Sequence, residues 1–516
     1  MLFAELANAS ERIAATPKRT EKLALLAECI ARMPDEELAA GVHFLAGEIA
    51  EGKIGVGYSS LRDLFELPAA SAPSLAVAEV DRTFSETAAL KGAGVARRRS
   101  ESMRSLLARA TSPEQNMIRR LLVGELRQGA LESVVVDAIA KANAIAPERV
   151  RRAQMIVADL GKVALTARRE GEAGLGAFAL SLFVPVQPML AQPAENVADA
   201  LAQHGRAAFE WKLDGASVQV HKSGTEVRAY TRNLNDVTER VPELVEAVTS
   251  LSARELILDG EVIALRADGA PQPFQVTMRR FGRRLDKGAL RAALPLRTFF
   301  FDCLRVDDRT LLDEPFAERI RALDALLPSE LAVPRIVTAD AAEAEAFLAQ
   351  AFERGHEGVM AKSLTAPYEA GSRGASWLKL KQAHTLDLVV LAAEWGSGRR
   401  EGWLSNLHLG ARDVRSGQLV MLGKTFKGMT DELLAWQTKR LLELETHRDR
   451  HIVFVRPELV VEIAFSDVQA SSQYPGGLAL RFARVKRYRD DKRAADADTI
   501  EQVRAFHVPI DAAGSE

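Results

Sequence analysis

Glu210-Trp211-Lys212-Leu213-Asp214-Gly215 puts a lysine at the end of a β-patterned run, immediately before a glycine-containing turn. A free lysine is protonated at neutral pH and cannot attack phosphorus. A nucleophilic lysine therefore needs a pKa lowered by burial or by neighbouring cations. Lys379 and Lys381 offer such cations, because alternate residues of a predicted strand direct their side chains to one face. Alone, Lys-x-Asp-Gly is short enough to arise by chance, and a surface lysine before a turn is its commoner meaning.

Its company changes that meaning. Asp259-Gly260-Glu261 ends a run patterned as a buried strand, and His356-Glu357-Gly358-Val359-Met360 places a second acid on another. Carboxylates converging with lysines are what Mg²⁺-dependent nucleotidyl transfer requires, since hard oxygen ligands hold the cation beside phosphates. Phe299-Phe300-Phe301-Asp302 offers an aromatic face for a purine, although most such residues are core. Arg489-Asp490-Asp491-Lys492 carries two cations near the end of the chain and by itself reads as a solvated charged tail.

Outward from these motifs the 516 residues divide into three stretches, as expected at about 150 residues per domain. Apolar residues recur at helical spacing in Leu23, Leu26, Ala27 and Ile30, in Ile118, Leu121 and Leu122, and in Val134, Val135 and Ile139. Pro185, Pro188 and Pro193 then mark a boundary, after which strands are predicted over 208–211, 217–221, 226–230, 256–265 and 297–306. A helix is predicted over 341–353. After a second change near 382–386, strands follow at 387–395, 407–411, 419–426 and 459–466, with one helix around 431–444. Five or so short strands and one helix suit a small OB-type barrel. The expected fold class is multidomain α and α+β: an all-helical domain over 1–172, an α+β domain over 183–382, and a C-terminal OB-fold β-barrel over 385–516.

Composition mostly excludes. A formal net charge of −2 neither favours nor opposes nucleic acid, because a binding face needs local basicity. Basic runs do occur at Arg97, Arg98 and Arg99, and at Arg279, Arg280, Arg283 and Arg284. Two distant cysteines, Cys29 and Cys303, exclude a disulfide framework or four-cysteine zinc site, and a cytoplasmic location is expected. Glu5 and Glu11 do not fit a secretory signal, and the apolar stretch 174–190 is too interrupted to span a membrane. Three motifs are decoys. Gly423-Lys424-Thr425 is out of register for a phosphate loop, Gly174-x-Gly176 follows no strand, and His356 has no partner at metal-ligand spacing.

In this order and spacing, 212–215, Thr231-Arg232-Asn233, Asp259-Gly260-Glu261, Phe301-Asp302, 357–360 and Lys379-Leu380-Lys381 resemble the nucleotidyltransferase motifs of ATP-dependent DNA ligases. Arg489-Asp490-Asp491-Lys492 resembles the motif closing their OB domain. Gly124-Glu125-Leu126-Arg127-Gln128-Gly129 is similar to a segment of the helical DNA-binding domain of the larger ligases, especially the bacterial type called ligase B. The resemblance implies an ATP-grasp-like adenylation domain and an enzyme that seals 3′-OH/5′-phosphate nicks in duplex DNA through lysyl-AMP and DNA-adenylate. It further implies ATP and Mg²⁺ as cofactors, nicked DNA as partner, a monomer, and a place beside the bacterial nucleoid.

The roles that resemblance implies fall residue by residue. Lys212 carries AMP, Glu210 meets the adenine edge, Phe301 stacks on the base, and Asp214 lies in the nucleotide site. Glu261 binds ribose or positions metal, and Glu357 supports the metal. Arg232 holds nucleotide and 5′-phosphate, and Lys379, Lys381 and Arg373 contact phosphate or line the pocket. Arg489 and Lys492 orient pyrophosphate when the barrel closes over the site. Arg127 and Gly129 meet DNA. One departure stands out: the family usually has arginine five residues after the lysine, where this chain has Ser217; Lys222 or a residue of the DNA-binding domain is the candidate replacement, with weaker affinity for the nick the alternative. The alternatives are an RNA ligase or mRNA guanylyltransferase, which the large helical domain disfavours, or a catalytically silent DNA-end-binding protein.

Overall fold

The computed structural model describes residues 1–52, 54–56, 64, 66–126, 128–129, 132–281, 294–369, 374–381 and 384–507. Arg127, Arg283, Arg284 and Arg373, singled out above, lie outside these residues.

Helices fill the first stretch, from Phe3–Ala15 to Leu160–Gly176, and share one apolar core running from Phe3 to Leu175. Its centre is a row of edge-to-face rings, Phe3 on Phe44 and Phe44 on Phe84, at centroid distances of 5.9 and 5.8 Å. The sequence also supplies the helix ends. Thr111 and Glu114 form a capping box at the start of Ser112–Val123, and Gly124 ends that helix at φ +75°. Arg99 donates to the carbonyls of Thr87, Ala88 and Leu90, closing the helix Val77–Ala89. The arginine run there is thus partly a capping device. Likewise Arg280 is a buried partner of Glu243.

Two five-stranded sheets make up the middle stretch. The strands are β1 (Gln192–Pro193), β2 (Ala207–Lys212), β3 (Ala216–Ser223), β4 (Glu226–Thr231) and β5 (Glu255–Ala264). They continue with β6 (Leu296–Val306), β7 (Arg309–Thr310), β8 (Arg335–Thr338), β9 (Gly358–Ser363) and β10 (Trp377–Lys381). One sheet has the order β1-β10-β9-β2-β8 and the other β4-β3-β5-β6-β7. Only β1 and β10 pair in parallel; all other neighbours in these two sheets are antiparallel. The turn after Lys212 carries the chain from the first sheet to the second. At Gly215 that crossing is so close that a Cβ would lie 2.3 Å from the Val262 carbonyl oxygen. The motif glycine is therefore steric in origin.

The last stretch folds around its own core, from Leu386 to Val503. The four expected strands appear as β11 (His384–Trp395), β12 (Leu404–Arg412), β13 (Leu419–Thr425) and β16 (Val460–Phe465). The helix Asp431–Glu443 is also present, with Thr430 as its N-cap. Beyond the expectation are β14 (Glu445–Asp449), β15 (Ile452–Val455), β17 (Asp467–Ala470), β18 (Leu478–Arg481) and β19 (Arg484–Tyr488). These form a seven-stranded and a two-stranded sheet, so five strands was an undercount. Charged strands such as Glu445–Asp449 lie mostly exposed and carry no alternating apolar signal.

Both cysteines are buried and unpaired, and burial pushes the Cys29 and Cys303 thiols up to about 11 and about 12. Among the described residues no helix is long and apolar enough to cross a membrane.

Candidate nucleotide site

A cavity of 750 Å³ lies between the two middle sheets, with the C-terminal stretch on one side. That volume falls within the range of small-molecule sites. Strand β2 brings in Glu210 and Lys212, β5 brings Glu261, β6 Phe301, and β10 Lys379 and Lys381, while Arg232 follows β4. Glu357 sits at the entry to β9 and bridges two cations, with Oε2 2.7 Å from Lys212 Nζ and Oε1 2.6 Å from Lys381 Nζ. In register, Lys212 stands opposite Gly358, whose φ is +136°. A Cβ at Gly358 would come 2.0 Å from the Leu380 carbonyl oxygen, so only glycine lets β10 approach here.

Charges differ from the sequence expectation at one point. Burial acts to lower the Lys212 pKa, but Glu357, then Glu261 and Asp214, raise it above the usual lysine value. The lysine is held as an ammonium. Its neighbour Lys381 is the depressed one, through burial first and then repulsion from Lys212. Glu357 stays below the ordinary carboxylate value, held down by the two lysines against its burial. Among the described residues no cation is in hydrogen-bond contact with Glu261. Its oxygens accept from the Gly215 amide at 3.1 Å and the Ser217 hydroxyl at 2.8 Å, and burial pushes it up to about 7.

Ser217 therefore supports Glu261 rather than supplying a cation. The proposed replacement fails as well: Lys222 is buried away from the cavity, donating to the carbonyls of Thr249 and Leu251.

At the other end Glu210 is 1% exposed and takes Lys362 at 2.5 Å and Arg335 at 2.8 Å. The Lys362 amine lies 4.0 Å from the Trp377 ring centroid and 4.6 Å from that of Phe301. Lys362, Arg335 and Trp377 escaped the sequence reading. The available signal was periodicity, because 358, 360 and 362 share one face of β9 opposite β2.

Other expected residues fall elsewhere. Asp214 pairs with Arg481 of β18 at 2.8 Å, joining the middle and C-terminal stretches. From the C-terminal stretch, Lys427, Phe465, Phe482 and Arg484 face the cavity, and none was foreseen. Arg489 and Lys492, expected to meet pyrophosphate when the barrel closes over the site, bind Asp387 on β11 in this arrangement, at 2.8 and 2.6 Å. Gly129 adopts φ +65° beside Lys22, whose amine donates to the Gln128 carbonyl.

The decoys stay decoys. Lys424 lies in β13 and pairs with Glu394, Gly174 and Gly176 end a helix, and His356 packs on Trp211 at 5.0 Å with a pKa lowered by burial to about 4.

A half-buried lysine framed by carboxylates beside a nucleotide-sized cavity is the arrangement expected of a nucleotidyltransferase-type site. Comparison makes the assignment specific. Residues 188–381 match the family model described as ATP dependent DNA ligase domain. Residues 400–492 match its C terminal region and 64–140 match the DNA ligase N terminus. A probable DNA ligase of Anaeromyxobacter sp. (strain Fw109-5) is 59% identical over 509 residues, covering 98% of both chains. One of Sorangium cellulosum is 54% identical over 508 residues, covering 98% of this chain and 95% of that protein. The solved structure named Pmar-Lig_PreS3 shares the fold, at TM-score 0.63 and 19% identity, over 94% of this chain and 99% of that one. The chain belongs to the ATP-dependent DNA ligase family. It is an ATP-dependent DNA ligase, an enzyme whose general function is sealing nicks.

Proposed function

We propose that Lys212 is the adenylylated residue and that sealing passes through lysyl-AMP and then DNA-adenylate. The observation that carries this is the bridge Lys212–Glu357–Lys381 at the wall of the cavity, with Glu210 deep at its far end. In the first step the Lys212 nitrogen, having lost a proton, bonds the α-phosphorus of ATP while the bond to pyrophosphate breaks. AMP then passes to the 5′-phosphate at a nick, and attack by the 3′-hydroxyl joins the strands and releases AMP. Each step rests on alignment and charge neutralisation.

Purine choice follows from Glu210. Its oxygens accept from Lys362 and Arg335, and acceptor oxygens at this position suit the adenine amino group and oppose the guanine carbonyl oxygen. This favours ATP over GTP, and so opposes the guanylyltransferase reading. Phe301 would stack on the base, with Arg232 and Lys379 toward ribose and phosphates.

Among the described residues no three metal-ligating side chains cluster. Mg²⁺ commonly uses one or two carboxylates together with phosphate oxygens and water, so Glu261 and Glu357 fit. Glu357 Oε2 is buried with the Lys212 ammonium at 2.7 Å, a hard anionic oxygen that a metal cation could take in place of that ammonium. A bound Mg²⁺ would neutralise phosphate charge; Lys381 contributes to the same end.

We further propose a helical DNA-binding domain over 1–172, an ATP-grasp-like adenylation domain over 183–382 and an OB-fold barrel over 385–516, acting as a monomer on nicked duplex DNA in the bacterial cytoplasm, beside the nucleoid. Contacts mainly to phosphates would make sealing sequence-tolerant and salt-sensitive. Incubation with α-labelled ATP or GTP and Mg²⁺, for wild type and Lys212→Ala, tests the core of this reading. Acid-labile label from ATP alone, absent in the variant, is expected; no label on depyrophosphorylated protein would overturn it.

A further inference from the structure

The two cations that end the chain's last motif share one anchor. Asp387 Oδ2 accepts from Arg489 Nη1 at 2.8 Å and from Lys492 Nζ at 2.6 Å. The remaining face of the Arg489 guanidinium, Nε and Nη2, is taken by Asp491 at 2.8 and 2.6 Å. The two carboxylates are not equivalent. The Asp387 side chain is 9% exposed, whereas that of Asp491 is 65% exposed and free to exchange with water. Asp387 is itself fixed, since its amide donates to Asp498 Oδ2 and its carbonyl accepts from the Asp498 amide. Its other oxygen, Oδ1, is buried and makes no hydrogen bond. A buried carboxylate with one unpartnered oxygen is costly for a fold to keep, which calls for a reason beyond packing.

Asp387 lies on β11 and the cations lie just beyond β19, within one core. Any rotation of this stretch carries anchor and cations together, so turning alone cannot separate them. Arg489 and Lys492 sit in a loop with no strand or helix to define their direction. A carboxylate on the strand supplies it.

We propose that Asp387 is the positioning residue for Arg489 and Lys492, holding the two as a preformed pair for the pyrophosphate of the adenylylation step. The inference rests on the reading that these cations orient pyrophosphate. It predicts an effect confined to the step that releases pyrophosphate. Steps that act on DNA-adenylate do not need the pair.

The full-length protein with Asp387→Asn preserves shape and removes the charge. Three quantities are compared with wild type: the single-turnover rate of adenylylation, the pyrophosphate concentration that half-saturates reversal of lysyl-AMP, and the sealing rate of a pre-adenylylated nick. The expected result is adenylylation at least tenfold slower, a half-saturating pyrophosphate concentration at least fivefold higher, and sealing within twofold. Adenylylation unchanged or faster would overturn the inference. So would an equal loss in all three, which would make Asp387 a fold element only. Asp387→Glu, which keeps the charge, should recover part of the adenylylation rate without changing sealing, and failure to do so counts against positioning. Arg489→Ala separates the two readings. If it leaves adenylylation intact, the role of the cations is wrong; if it abolishes adenylylation while Asp387→Asn does not, only the inference fails.

Discussion

Two lysine–glutamate pairs cross between β2 and the region of β9, in opposite senses. Glu210 of β2 meets Lys362 of β9, and Lys212 of β2 meets Glu357 at the β9 entry. The first pair is 2% and 1% exposed at its side chains and is sealed by aromatic rings and Arg335. The second is 16% and 23% exposed and opens on the cavity. Burial lowers the Lys362 pKa, while three carboxylates raise that of Lys212. The same two residue types thus make a nearly fully buried clamp at the deep end of the cavity and a more exposed pair at its wall. Pairing alone does not separate the two lysines; exposure and surrounding charge do.

Lys212→Ala should break the reactive pair without touching the clamp. Glu357 keeps Lys381, so no charge is orphaned. Adenylylation should fall by about 10⁴-fold or more, as for removal of a covalent nucleophile, with the urea midpoint unchanged. Lys362→Met should do the reverse. Glu210 would keep only Arg335 in a nearly water-free place, at a cost of about 3 kcal/mol in unfolding measurements. A Lys362→Met protein as stable as wild type would show that the clamp is not structural.

Glu357→Gln sharpens the comparison through pH. Attack needs the neutral amine, and Glu357 is the largest influence raising the Lys212 pKa. Losing that charge lowers the pKa, so the acid limb of the adenylylation profile should move to lower pH. The plateau should also fall, because Glu357 contributes to the site in its own right. A limb that stays in place would mean that the group titrating there is not Lys212.

Much of this contrast was legible beforehand, and what was not has identifiable causes. Motif spacing located Lys212, Glu261, Glu357, Phe301, Lys379 and Lys381, because short motifs on paired strands keep their register when folded. The strands of 208–306 were legible from period-two patterning, and both ends of the helix Ala341–Glu353 were predicted. The clamp was not, since Arg335 is 125 residues from Glu210 and nothing local signals their meeting. The protonation of Lys212 was misjudged because its carboxylates come from three separate strands and turns. The resemblance gives Arg489 and Lys492 a role on barrel closure, but nothing local signals their bond to Asp387, which spans more than a hundred positions.

Ser217→Ala tests the smallest effect, and it does so at the carboxylate that, among the described residues, has no cation in hydrogen-bond contact. The Glu261 pKa rises on folding from about 4.5 to about 7, so folding favours the protonated carboxyl. Stability attributable to this group is therefore greatest below about 4.5, declines as pH rises toward 7, and is fully lost above it. The Ser217 hydroxyl lessens that loss by donating to the ionised form. Without it the pKa should rise further, and the variant should be about 1.5 kcal/mol less stable than wild type at pH 8 to 9, the weaker end for a hydrogen bond to a charged group. The deficit should shrink as pH falls through 7 toward 5. Urea unfolding across that range measures it. A deficit independent of pH would mean that Ser217 acts through packing, and a variant with no deficit would mean that Glu261 is held by the Gly215 amide and its surroundings alone.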